Sequence, residues 1–127
     1  MTDKLVRIPG PDHPIVITPQ PGRVTVRVGA HVVADTTAAL LLKEASYPAV
    51  IYVPRADVDL ALLERSGHST YCPYKGDASY YSITAGGDRS VNAIWTYEAA
   101  YSSVAAIDGH MAFYPDRVDV IEVDLET

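Results

Sequence analysis

Apolar side chains in this sequence recur mainly at every second position, the period of an extended strand. In "RVTVRV", Val24, Val26 and Val28 fall on one side of the backbone and Arg23, Thr25 and Arg27 on the other. Gly29-Ala30 suits a tight turn, and "HVVAD" reads as the return strand. "AVIYVP" (49–54) reads as a short buried strand that stops at Pro54. "DASYYSITA" (77–85) and "SVNAIWTYEA" (90–99) read as two strands joined by the turn "GGDR". "HMAFY" (110–114) and "RVDVIEV" (117–123) form a last pair joined at Pro-Asp. Two stretches interrupt the pattern. "TTAALLLKEA" (36–45) has leucines that suit a helix but lies between strand signals, so helical and extended forms both stay open. "ADVDLALLERSG" predicts a helix of about two turns, capped by Asp57, with Leu60, Leu62 and Leu63 on its apolar side and Gly67 at its end.

Residues 1–22 differ in kind. Pro9, Pro11, Pro14, Pro19 and Pro21 remove backbone donors and fix φ, which predicts an extended arm that packs along the domain or reaches a partner chain. Residues 23–127 then form a single β-rich domain. Six or more short strands with one or two short helices predict a mostly β, antiparallel, two-layer sheet domain; crossover helices are too few for a parallel sheet.

Composition narrows the function classes. A chain of 127 residues, 48% hydrophobic and 20% charged, fits one globular domain that buries its own core. A single cysteine rules out an internal disulfide and a zinc site built on several cysteines. The net charge of −6, with the basic residues scattered singly, argues against a nucleic-acid surface. No apolar run approaches the ~18–20 residues that span a bilayer, and "MTDKLVRIPGPDHP" has no apolar core of a secretory signal. The expectation is a cytoplasmic protein with no cofactor, no membrane partner and no nucleic-acid partner.

Four stretches, "YVPRADV", "TYCPYKGDASYYS", "AIWTYE" and "AFYPDRVDV", occur in this order. Together they resemble the family known as domain of unknown function 427, over roughly residues 23–123. "CPYKG" followed at a set distance by Trp-x-Tyr is the specific part. The resemblance implies a mostly antiparallel β fold with a tent-like pair of sheets. One departure stands in "WTYEAAY": the family pattern more often has a proline or an acidic residue after Tyr97-Glu98, which alters the following loop and not the motif. The family also carries a nucleotidyltransferase label. The chain has no Gly-rich phosphate loop ending in Lys-Ser or Lys-Thr. Its one Asp-x-Asp pair, Asp57 and Asp59, is expected at a helix start, where the carboxylates diverge. Nucleotidyl transfer and a metal site are both disfavoured.

The remaining chemistry gathers around Cys72. With Pro73 at its second position, Cys72-Pro73-Tyr74-Lys75 predicts a β-turn that brings Cys72 and Lys75 together, and Gly76 lets the chain leave. An ammonium beside a thiol favours the thiolate; a free cysteine is equally at home as a small buried apolar residue. The resemblance fixes Lys75 inside the turn and favours it as a ligand-facing cation. Arg55 and Asp57 sit where a strand gives way to a helix, a usual cleft position, with an ion pair as the plainer reading. Trp95 and Tyr97 share a strand face and could form an aromatic wall with Tyr74, Tyr80 or Tyr81; Trp95 reads equally as core. His68 is expected in a loop four residues before Cys72, the one histidine placed to act as its base.

The functional reading is a pocket for a small anionic or planar ligand, formed by Arg55, Asp57, Cys72, Lys75, Tyr81, Trp95 and Tyr97. If there is catalysis, Cys72 and Lys75 are its candidates. Two alternatives stay open: a cysteine-based enzyme or redox sensor using Cys72, and a homodimeric interaction or scaffold module built on the tyrosine-rich surface and proline arm.

Overall fold

The computed structural model describes residues 4–125. These form ten strands: β1 (Ile15–Pro19), β2 (Arg23–Val28), β3 (His31–Thr36), β4 (Leu40–Glu44), β5 (Val50–Val53), β6 (Leu63–Cys72), β7 (Gly76–Ile83), β8 (Ile94–Tyr97), β9 (Met111–Phe113) and β10 (Val120–Asp124). Seven make one sheet in the order β1-β4-β5-β9-β8-β7-β6, and three make a second in the order β10-β2-β3. All the paired strands are antiparallel. The mostly β, two-sheet expectation holds.

Alternation along the strands divides the core in two. Val26, Val28 and Val33 of the small sheet pack against Val53, Tyr81, Ile83, Ile94, Met111 and Phe113 on one face of the large sheet. The opposite face carries Leu42, Tyr52, Ala78, Tyr80, Tyr97 and Ala112. Val104 and Ile107, from the 3-10 segment Ser102–Ile107, cover part of that second face. The other side of it lies open and forms the site described below.

Residues 36–45, ambiguous in sequence, are extended: β4 pairs with β1 on one side and β5 on the other. β1 itself comes from the proline-rich arm. Earlier in the arm, residues 5 and 7 lie against the domain: the Arg7 amide donates to the Pro73 carbonyl at 2.9 Å and the Tyr71 hydroxyl donates to the Leu5 carbonyl at 2.5 Å.

Three sequence expectations are corrected. The predicted helix at "ADVDLALLERSG" is two single 3-10 turns, Arg55–Asp57 and Leu60–Leu62, followed directly by β6. A helix of that length is marginal alone, and here tertiary pairing wins. Val58 is extended, bridges to Ala34 of β3 and is 6% exposed, while the Asp59 amide donates to the Val33 carbonyl at 2.8 Å. Asp59, not Asp57, caps a turn, accepting from the Ala61 amide. Second, β9 and β10 are not a hairpin: β9 lies between β5 and β8, whereas β10 crosses to β2. Third, β7 and β8 pair as expected, but the connection is the longer 3-10 segment Thr84–Ser90 and not a tight four-residue turn. Among the described residues, no helix is long and apolar enough to cross a membrane.

Candidate functional site

Antiparallel register explains why aromatic groups meet. Tyr52 lies opposite Ala112, Ala112 opposite Trp95, and Trp95 opposite Tyr80. Residues directly opposite on neighbouring strands share a face, so one row across β5, β9, β8 and β7 reads Tyr-Ala-Trp-Tyr. The small side chain of Ala112 leaves a gap. Across it the Trp95 indole donates from Nε1 to Tyr52 Oη at 3.3 Å, the rings edge-on with centroids 6.3 Å apart. Tyr97 stands in the next row, opposite Ala78. Tyr114, just past β9, leans on Trp95 with centroids 4.5 Å apart. The result is an open recess of about 220 Å³ walled by Tyr52, Tyr80, Trp95, Tyr97 and Tyr114, with Lys75 and Glu44 at one end.

The "CPYKG" turn positions Lys75. The Lys75 amide donates to the Cys72 carbonyl at 3.2 Å, closing a four-residue turn between β6 and β7. Gly76 leaves it at φ +110°, a conformation that side chains disfavour, and a Cβ there would meet the Ala99 carbonyl oxygen at 3.3 Å. Lys75 Nζ then lies 3.6 Å from Cys72 Sγ and 6.0 Å from the Tyr97 ring centroid, and it donates to Glu44 Oε1 at 2.5 Å. Only 10% of the Lys75 side chain and 15% of the Glu44 side chain are exposed. Glu44 Oε2 is 2.7 Å from His13 Nε2, and the His13 ring stacks on Tyr74 at 4.2 Å with 3° between planes. Arm, β4 and turn thus meet in one chain of contacts, Tyr74–His13–Glu44–Lys75–Cys72.

Electrostatics follow from burial. Loss of hydration disfavours the Glu44 carboxylate, but hydrogen bonds from Lys75 and His13 outweigh it and hold the carboxyl below its usual value. Burial first, then neighbouring acidic groups, pushes the Tyr97 hydroxyl far above the ordinary phenol value; burial does the same for Tyr52, against the opposing hydrogen bond from Trp95. Burial and a hydrogen bond with Tyr80 push Tyr114 up to about 12. These phenols stay neutral, able both to donate and to accept. Because the folded-state pKa of Glu44 is lowered, the unfolded chain binds more protons as pH falls through the carboxylate range. The stabilisation is therefore complete above the ordinary Glu value and is lost as pH drops through the lowered one. Glu44→Gln should be less stable than the wild type at neutral pH, and the gap should narrow below about pH 4.5. Denaturant melts across that range check it; a gap that stays constant would show that Glu44 does not titrate against its partners.

Of the residues singled out in the sequence, Lys75, Trp95 and Tyr97 line the recess, and Cys72 packs beside it. The other three lie elsewhere. Tyr81 points to the opposite face of β7, into the core between the sheets, where its hydroxyl accepts from Arg65 at 3.0 Å and Arg55 at 3.3 Å. Asp57 accepts from Thr36 Oγ1 at 2.7 Å, beside β3. His68 is not in a loop but in β6, at a bulge where three residues face one, with its ring on Tyr80 at 4.5 Å. Four residues along a strand span about 13 Å, too far for His68 to take a proton from Cys72 directly. Sequence reasoning missed Glu44, Tyr52, Tyr114 and the role of His13. The alternation Leu40, Leu42, Glu44 was the available signal, a carboxylate set in the apolar register of a strand.

Among the described residues, no group of three or more His, Cys, Asp or Glu side chains is arranged to hold a metal ion. No curated protein matches the chain. The family model described as Domain of unknown function (DUF427) matches residues 16–124, and the chain belongs to that family.

Proposed function

We propose that the chain binds a small, flat, uncharged molecule with hydrogen-bonding groups, in the recess between β4, β5, β7, β8 and the Lys75 turn. The observation that carries this reading is the meeting of a well-shielded Lys75–Glu44 pair with one indole and several neutral phenols around a single opening. Aromatic walls favour a planar partner, each good ring contact contributing about 0.5–1.5 kcal/mol. The phenol hydroxyls supply donors and acceptors that fix its orientation. The anion suggested by Lys75 in the sequence gives way to a neutral ligand, because the ammonium already has Glu44 as its partner at 2.5 Å. A carboxylate in the recess would face that carboxylate with no spare positive charge.

Trp95 is the only tryptophan in the chain, so its emission reports directly on the recess. Phenol should change that emission saturably, with a Kd of roughly 1 mM, worth about −4 kcal/mol. Benzoate, its charged counterpart, should bind at least about tenfold more weakly, the effect of ~1.4 kcal/mol. Tyr114→Ala removes the ring that leans on Trp95 and should weaken phenol binding several-fold while the chain stays folded. A linear, non-saturating response to phenol, or benzoate binding as tightly as phenol, would overturn the reading.

A further inference from the structure

We infer that the ligand carries a conjugated carbonyl group, whose oxygen accepts a hydrogen bond from the Tyr97 hydroxyl. The inference rests on the recess reading just given and names the chemical class within it. The polar groups around the opening are mostly engaged with one another. Lys75 donates to Glu44 Oε1, and His13 holds Glu44 Oε2. The Tyr80 hydroxyl pairs with Thr70 Oγ1 at 2.9 Å and with Tyr114. Tyr47 is 60% exposed, so solvent reaches its side chain. Two groups are left over. Tyr52 is 1% exposed and accepts from the Trp95 indole, but its own proton has no acceptor among the described residues. Tyr97 is 6% exposed, and its hydroxyl has no hydrogen-bond partner among them. That hydroxyl is not sealed in. Among the described residues, Asn92 Oδ1 is the one fully enclosed side-chain polar atom without a partner, so the Tyr97 hydroxyl opens on the recess that Tyr97 lines.

Leaving a buried hydroxyl unpaired is costly, and both leftovers are O–H donors. Burial keeps the Tyr97 proton in place. What the recess lacks is therefore an acceptor. A carboxylate would meet Glu44 with no spare positive charge to offset it. A ligand hydroxyl can accept, but it brings one more proton to a recess where both Glu44 oxygens are already bonded. A carbonyl oxygen has two lone pairs and no proton. Conjugated with a ring, it stays in the ring plane, so one flat molecule can lie against the Trp95 and Tyr114 rings and accept from Tyr97. Aryl ketones and cyclic lactams are the neutral compounds that meet these terms.

Acetophenone and α-methylstyrene test this, because they share one flat shape and differ only in C=O against C=CH2. Ligand-observed NMR titrations give both affinities. Tyr97→Phe should weaken acetophenone about two- to tenfold, the effect of one net hydrogen bond, and leave α-methylstyrene unchanged or tighter. The variant should melt no lower than the wild type, since its hydroxyl has no partner to lose. Acetophenone labelled with ¹³C at the carbonyl adds a readout that needs no variant. Its carbonyl carbon resonates downfield in water, where the oxygen accepts hydrogen bonds, and upfield in hexane. Bound to the wild type it should stay near the water position; bound to Tyr97→Phe it should move toward the hexane one. A hexane-like position in the wild type would overturn the inference, as would equal acetophenone affinity in the two proteins or an equal loss of α-methylstyrene. A clear fall in Tm for Tyr97→Phe would show that the hydroxyl already has a partner and overturn it too. Each of these results leaves the recess reading standing where phenol still binds. If phenol, acetophenone and α-methylstyrene all fail to bind, both readings fall together.

Discussion

Replacing Lys75 by Ala should destabilise the protein by about 3 kcal/mol or more, because it leaves a shielded carboxylate without its cation. Glu44 keeps the contact to His13, which places the expected cost near the lower end of that range. For a domain of this size the change corresponds to a fall in Tm of roughly 10 °C. Removing both partners gives an equally specific expectation. Lys75→Met combined with Glu44→Leu removes both charges and keeps the volume, and such paired replacements are often neutral or stabilising. The double variant should therefore melt close to the wild type, well above Lys75→Ala. Arg65 serves as the control. Its pair with Glu98 has side chains 54% and 41% exposed, and such a solvent-screened pair contributes little to stability. Were Lys75→Ala to cost no more than Arg65→Ala, the ammonium would be solvated, and the recess would lose the polar end on which its proposed selectivity depends.

That contrast shows how unevenly the site could be read from the sequence. The turn was legible because its chemistry is local: Pro73 presets φ and Gly76 admits a positive one, so the closeness of Cys72 and Lys75 follows from four residues. The shared face of Trp95 and Tyr97 followed from the two-residue period. The partner of Lys75 was not legible. Glu44 lies 31 residues away, in a segment whose leucines fit a helix as well as a strand, and only pairing with β1 and β5 makes it extended. The choice between Tyr80 and Tyr81 depended on strand register: one residue decides whether a ring faces the recess or the inter-sheet core. Arg55 and Asp57 drew attention because a helix start was expected there. Once Val58 is drawn onto β3, the segment turns toward the small sheet and away from the recess. The two-sheet architecture survived these local errors, because the sum of alternating segments, not any one boundary, sets the fold class.

The register of the aromatic rows depends in turn on the connection between β7 and β8, and a single methyl group should disrupt it. At Gly86 an added Cβ would lie 1.8 Å from Ser90 Oγ, 2.4 Å from Ser90 Cβ and 3.3 Å from Val28 Cγ1. Ser90 cannot simply swing aside: it is 1% exposed, and its hydroxyl donates to the Arg117 carbonyl at 2.7 Å. Overpacking of this kind costs about 1–3 kcal/mol, and loss of the hydroxyl's bond adds about 1 kcal/mol. Gly86→Ala should therefore destabilise by roughly 3 kcal/mol, among the larger effects of any single methyl in the chain. The cause is a pairwise clash, so it has a pairwise remedy. Ser90→Gly removes both of the nearest atoms; alone it should cost about 1 kcal/mol for the lost hydrogen bond and the added chain freedom. Combined with Gly86→Ala it should give a protein more stable than Gly86→Ala itself, a coupling of at least about 1 kcal/mol in a double-mutant cycle. Because β7 and β8 carry Tyr80, Trp95 and Tyr97, the Trp95 emission transition should move with the global melt in each variant. Strict additivity of the two changes would mean that the methyl acts somewhere other than at Ser90, and the hold of this connection on the recess would have to be sought in a different contact.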